Sequence, residues 1–197
     1  MDILRQLRTI TESQDTLPVK LESIVKLIAE QIGADAASFY IAVDGRRLEL
    51  FASYGLNPEA QHRVSFRFGE GLTGEVAQNN RTLNVADAWS HPKFAHKPDL
   101  GEEQYKSFLG VPLIRWSRSI GVLSVQTREI REFSSLDVEI LETVAMVLSE
   151  IVSSDEMAEL KKGLSKGNNL NEREKLKGIS LSKGYGLGVC VVHRRRQ

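Results

Sequence analysis

Cysteine is almost absent: Cys190 is the one copy in 197 residues. A lone thiol excludes an internal disulfide framework and a cysteine-built metal cluster. Long hydrophobic runs are missing too. None approaches the ~18 apolar residues of a membrane span, and the opening stretch MDILRQLRTITESQ is too polar for a signal peptide. Net charge is also missing, since 26 Lys and Arg balance 26 Asp and Glu. Together these absences lead to the expectation of a cytoplasmic protein that makes no use of a membrane.

What is present has the make-up of a globular chain, 41% hydrophobic and 26% charged. Its length gives one domain of ordinary size with room for an appendage. The zero net charge conceals an asymmetry. From 161 to 197 ten Lys and Arg face two Asp and Glu, which leaves sixteen facing twenty-four before it. A shift of that size puts a boundary near 155–165. One aromatic residue, Tyr185, stands among those basic charges, where single-strand stacking would need several interleaved. The tail therefore reads as a solvated linker, and no nucleic-acid partner is expected.

Periodicity supplies the elements. Ile3, Leu4, Leu7 and Ile10 recur at helical spacing over 2–13. Leu21, Ile24, Val25, Ile28 and Ile32 form one apolar stripe over 18–32, with Thr16 placed to cap it, Pro18 in its first turn and Gly33 to end it. The period then becomes two. Residues 37–43 and 48–54 predict a hairpin around Asp44-Gly45, and 64–68 a third strand. In GEGLTGEVAQNN, 69–80, three glycines in six residues predict a tight strand-to-helix turn with Thr73 as N-cap. It is not a Walker loop, because Gly-Lys-Ser/Thr is missing. Its Gly-x-Gly-x-x-Gly stands among hairpins rather than parallel βαβ units, against a dinucleotide site.

Residues 82–85 predict a short strand, followed by a polar stretch from 86 to 106 that holds Asp87, Trp89, His91, Phe94 and His96. A loop of that length in a compact domain is functional or disordered. Its Trp and Phe argue for order, because aromatic area is costly to leave in water. FLGVPLIRWSRSIGVLSVQT, 108–127, is a second hairpin, and Ser134-Ser135-Leu136-Asp137 opens a helix over 135–153 with a capping-box pattern. That helix carries two apolar stripes, one through Leu141, Ala145 and Leu148 and one through Ile140, Val147 and Ile151. A surface helix needs one. The order predicts an α+β domain: a central antiparallel sheet of about six strands with N- and C-terminal helices packed on one face.

Those elements, in that order, resemble a GAF domain over about 17–153. The resemblance is carried by the Gly-x-Gly-Leu-x-Gly turn at 69–74, by Asn84-Val85-Ala86-Asp87, and by Leu109-Gly110-Val111-Pro112-Leu113 with Gly121-Val122-Leu123. NVADAWSHPKF (84–94), Gly-Glu-Glu before Tyr105, and SFLGVPLIR (107–115) narrow it to the GAF domain of nitrogen phosphotransferase-system Enzyme I, a phosphoenolpyruvate-protein phosphotransferase. LKGISLSKGYGLGVCVVH, 176–193, is similar to the first strands of the Enzyme I phosphohistidine domain, with Lys183 where that family usually has Pro.

The resemblance implies a division into a sensor domain at 1–155, a linker helix at 156–175 and a truncated phosphohistidine domain at 176–197. It implies that the phosphorylated histidine, the magnesium site and the contact with a phosphocarrier protein belong to domains outside this chain. No catalytic residue, metal or cofactor is then expected here, and His193 has no such role by position.

By resemblance the ligand pocket lies between the sheet and the helix and loop over one face, and takes glutamine or 2-oxoglutarate. Its expected walls are Phe66, Leu72, Thr73, Gly74, Phe108 and Val111. The amides of 72–74 would serve a carboxylate, and Arg67 would assist. Asp87, Glu102 and Glu103 are candidate ammonium partners. Trp89 and Phe94 would form a lid. Each charged residue has an ordinary alternative as solvated surface, and each aromatic one as core packing. Bilin attachment and methionine-sulfoxide reduction are excluded, since Cys190 lies outside the domain. His91 and His96 lack a third ligand. Two functions follow as expectations: a metabolite-sensing regulatory module, or a dimerisation module whose pocket is filled by its own side chains. A homodimer through the terminal helices is expected in both.

Overall fold

The computed structural model describes residues 3–61, 63–95, 97, 99, 101–153 and 158. The expected linker at 156–175 falls outside them except for Ala158. The expected phosphohistidine segment, Cys190, His193 and His96 fall outside them entirely.

The first helices are α1, Ile3–Glu12, and α2, Leu17–Ile32. The stripe predicted for α2 is its buried face. Thr16 stands at the N-cap without a side-chain bond, and Gly33 closes the helix in the left-handed conformation at φ 66°, its amide donating to Ala29 O. Leu7 is the buried residue of α1, which lies against α2.

Strands β1, Ala36–Ala42, and β2, Arg47–Tyr54, form the first hairpin. Asp44 organises its turn by accepting the amides of Arg46 and Arg47 at 3.1 and 2.8 Å. After β3, Ser65–Arg67, comes α3, Gly71–Asn79. The N-cap expectation is corrected here. Glu70 occupies that position, and Thr73 lies inside the first turn. The start is shifted because the chain closes tightly onto β3: a Cβ on Gly74 would meet Arg67 O at 2.3 Å.

Strand β4, Leu83–Val85, is followed by the 86–106 segment, and β5, Ser107–Arg115, and β6, Arg118–Thr127, make the second hairpin. Trp116 and Ser117 form its two-residue turn, both at positive φ, 46° and 60°. The last helix, α4, Ser135–Val152, opens with the predicted capping box of Ser134 and Asp137. Arg131 clamps the two long helices together: it donates to Ile32 O at the end of α2 and to Asp137 at the start of α4, each at 3.1 Å.

All pairings are antiparallel in the order β3-β2-β1-β6-β5-β4. The edges are three-residue strands, too short to template further pairing. Strand alternation sorts the sheet's two faces. One face carries Tyr40, Leu48, Leu50, Phe66, Phe108 and Val122 into a core closed by Leu72, Val76 and Ala77 of α3. Phe39, Ile41, Leu109, Leu113, Leu123 and Val125 alternate with those residues and project from the opposite face, where α2 and α4 pack. The sheet is therefore fully covered, with the terminal helices on one side and α3 on the other. No described helix is long and apolar enough to cross a membrane.

Candidate functional site

The 86–106 segment crosses the α3 side of the sheet as a strap with tethers along its length. Trp89 Nε1 donates to Tyr105 O at 2.8 Å, closing the segment on itself. Lys93 Nζ lies 3.8 Å from a Glu75 carboxylate oxygen, and Lys97 Nζ 2.6 Å from one of Glu70, both on or beside α3. Asn57 Nδ2 donates to Asp99 O at 3.1 Å, and the Tyr105 hydroxyl donates to Gly55 O. Two aromatic rings of the segment, Trp89 and Phe94, lie 6.4 Å apart and tilted by 30°.

Under the strap lies a small cavity of about 20 Å³, lined by Phe66, Leu72, Thr73, Phe94, Ala95, Phe108 and Gln126. Five of the residues expected from the sequence meet there. The cavity sits at the start of α3, whose first-turn amides, Gly71 to Thr73, have no intrahelical partner. Glu70 gives them no side-chain cap. Thr73 is 5% exposed and lines the cavity. Backbone amides at the positive end of a helix suit an anionic group.

The other expected residues stand elsewhere. Gly74 adjoins the cavity, but its amide already donates to Glu70 O at 3.0 Å. Arg67 is exposed, and what it contributes is its amide, donating to Glu70 Oε2 at 2.8 Å. Asp87 is half-buried and accepts the Ser90 hydroxyl at 2.7 Å, which keeps it within its own loop. Trp89 is 53% exposed on the outside of the strap, touching Phe94 rather than the cavity. Glu102 belongs to a 3-10 turn with Glu103 and Gln104, and Glu103 is exposed. Val111 is fully buried on the face of α2 and α4, away from the cavity, because it has the opposite strand parity to Phe108.

Four residues escaped the sequence reading. Gln126 is buried opposite Phe108 in the β5–β6 register. Period two gave a usable signal, since a Gln ends the face begun by Val122 and Ser124. Ala95 closes over Gly71, where an added Cβ would approach it to 3.2 Å. Lys97 and Glu70 are the charges beside the cavity. The Lys97 ammonium lies 5.2 Å from the centroid of Phe66, a cavity wall. The Arg67 amide, and then Lys97, hold the Glu70 carboxyl below its ordinary value of 4.5. Among the described residues no three His, Cys, Asp or Glu side chains converge as a metal site requires.

Comparison with known proteins identifies the fold. A family model described as "GAF domain" matches residues 17–152. An Escherichia coli protein named "Phosphoenolpyruvate-dependent phosphotransferase system" is 30% identical over 187 residues, 93% of this chain and 25% of its own length. Among solved structures, the GAF domain of a phosphoenolpyruvate-protein phosphotransferase from Coxiella burnetii is 33% identical with a TM-score of 0.69, covering 84% of this chain and 95% of that one. The corresponding Acinetobacter domain, also 33% identical, has a TM-score of 0.67 and covers 78% and 95%. The chain thus spans about a quarter of the length of the curated relatives it matches.

Proposed function

Because the chain belongs to the GAF domain family, we propose that it is the regulatory, small-molecule-sensing module of a phosphoenolpyruvate-protein phosphotransferase of the nitrogen phosphotransferase system. The observation that carries this reading is the uncapped, buried first turn of α3 facing a cavity roofed by a tethered strap. The ligand is glutamine or 2-oxoglutarate, as the resemblance implies. Its carboxylate takes the Leu72 and Thr73 amides and the Thr73 hydroxyl. Phe66, Phe94 and Phe108 enclose its carbon chain.

Small-molecule sites span about 300 Å³ or more, whereas about 20 Å³ holds one water. Binding therefore requires the strap to lift, and that movement is the signal. The coupling free energy equals the ligand's preference for the lifted arrangement. In the complete protein this would alter autophosphorylation, in domains that also hold the magnesium ion and meet the phosphocarrier protein in the cytoplasm. Calorimetric titration of the purified chain with L-glutamine and with 2-oxoglutarate tests the reading. Saturable heat at or below millimolar concentration is expected for at least one, and none for either would end it.

The size of that same cavity favours a second reading, in which Phe66, Phe94 and Phe108 fill the pocket permanently and the domain serves to dimerise. Beyond its buried stripe, α4 keeps Ile140, Val147 and Ile151 only half-buried, a second face available to another copy alongside α1. A dimer by light scattering with no metabolite binding would select this reading. A dimer with binding fits the first.

A further inference from the structure

The tip of the second hairpin and the groove beside it are chemically matched. The tip, Arg115-Trp116-Ser117-Arg118, carries two cations and no acid. Its indole stands in water, 87% exposed, on backbone held left-handed at φ 46°. A strained turn that presents an aromatic ring to solvent points to a use for that ring outside its own domain. Arg118 is exposed and enters no ion pair among the described residues. Beside the tip, a groove of about 370 Å³ runs between α4, the end of β5 and the 80–82 connection. Pro112, Ile114 and Met146 give it an apolar lining, and its charged residues are Glu142 and Glu150. Glu142 accepts a neutral donor, the Thr82 hydroxyl, at 2.5 Å. The two features adjoin: Arg115 pairs with Glu150 at 3.0 Å, and Asn80 of the groove donates to Ser117 O at 3.3 Å.

We propose that this face is a two-fold interface in which each Trp116 enters the groove of a second copy. The role is separate from metabolite sensing and does not depend on it. Two-fold contacts must be self-complementary, and here the hook and its receptor belong to one continuous patch, so a single axis beside the tip satisfies both insertions at once. The indole leaves water for Pro112, Ile114 and Met146. Arg118 comes to the partner's Glu142, and a basic tip meets an acidic groove. That charge match selects the occupant, because this chain already carries both halves. The groove side of α4, Glu142, Met146 and Glu150, lies at a different helical phase from Ile140, Val147 and Ile151. A contact here is therefore distinct from one through the terminal helices.

Two inserted rings and their flanking charges make a small interface, so association is expected to be weak and concentration-dependent. The test is sedimentation equilibrium of the purified chain from about 1 μM to about 1 mM. Wild type should self-associate across that range. Trp116→Asn should weaken the association at least tenfold; Asn suits left-handed backbone, so the loss cannot be put down to unfolding. Arg118→Glu and Glu142→Arg should each weaken it several-fold, and the two together should restore it to within about threefold of wild type. Thermal midpoints at low concentration confirm that each variant is folded. A wild type that shows no concentration dependence overturns the proposal and leaves the groove to another occupant. Association unchanged in Trp116→Asn overturns it too, and places the contact elsewhere, on the terminal helices for instance. A double swap as weak as the single changes overturns the docking arrangement.

Discussion

The ring of Phe108 lies over Gly110, two residues along the same strand: a Cβ added to Gly110 would come within 2.6 Å of the Phe108 Cζ and 3.1 Å of the Val76 Cγ2. The space that a ligand could have approached is thus taken by the protein's own aromatic ring, pressed between β5 and α3. Gly121 is explained in the same way, since a Cβ there would meet Tyr40 O of the neighbouring strand at 2.5 Å. Gly110→Ala must push Phe108 toward the cavity it lines. The expected cost is that of overpacking, about 1–3 kcal/mol, read as a lower urea midpoint at unchanged slope. Gly110→Ala with Phe108→Leu should recover part of it, because the smaller side chain vacates the contested volume.

The turn of the second hairpin is built from residues that fit it poorly. Trp116 and Ser117 both hold left-handed backbone, and Trp116 is 87% exposed, so little packing compensates. Arg115 contributes a cation above the indole at 5.2 Å, a contact largely in water. Asn-Gly is the pair that a two-residue type I′ turn prefers. Trp116→Asn with Ser117→Gly is expected to stabilise the domain by about 1 kcal/mol, given a left-handed penalty of roughly 1–2 kcal/mol per ordinary residue. Denaturant melts of the two proteins measure it directly.

The fold could be read from the sequence because each face announces itself by period. Leu21 to Ile32 at helical spacing, and Phe39, Ile41, Leu48 and Leu50 at strand spacing, are residues the structure buries. The site was harder, because it depends on register and on loop path. Val111 was expected in the pocket wall by resemblance, as part of the strand over 108–113, but one step along a strand reverses the face. Asp87 looked available from its place after a strand, yet the Ser90 hydroxyl three residues on engages it. Lys97 carries no local signal at all. Its importance comes from the strap folding back to Glu70, twenty-seven residues earlier, and no periodicity encodes that return.

The Glu70 carboxyl gives the domain a pH dependence whose sign is fixed. Its ionised form is favoured in the folded state, first by the Arg67 amide and then by Lys97. The stability this provides is fully present above the ordinary value of 4.5 and is lost as pH falls through the lower folded value. Solvent screening keeps the Lys97 pair small, about 0.2–1 kcal/mol. Wild type should therefore exceed Glu70→Gln in stability at pH 7, and the difference should narrow below about pH 4.5. Paired thermal melts from pH 7 to pH 3 follow it. A constant difference across that range would mean that the carboxylate charge is irrelevant.

Phe94 offers the most direct control over the cavity. Its ring packs against the core cluster from the strap side and meets Trp89 on the outer side. Phe94→Ala removes the roof of the cavity without touching the start of α3. The ring is half-buried, so the loss of stability should fall below the roughly 3–5 kcal/mol of a fully buried Phe→Ala change. If the strap must lift for a ligand to enter, the variant has already met part of that cost, and glutamine affinity should rise. Trp89 rides on the strap and reports its movement through the change in the surroundings of its indole, whose Nε1 donates to Tyr105 O. In a Trp116→Phe background it is the single indole of the chain, as there are two tryptophans in all. Fluorescence titration with L-glutamine in that background should show a Trp89 response in both forms, at lower ligand concentration in Phe94→Ala. A weaker affinity in Phe94→Ala would identify the ring as part of the binding surface rather than as the barrier over it.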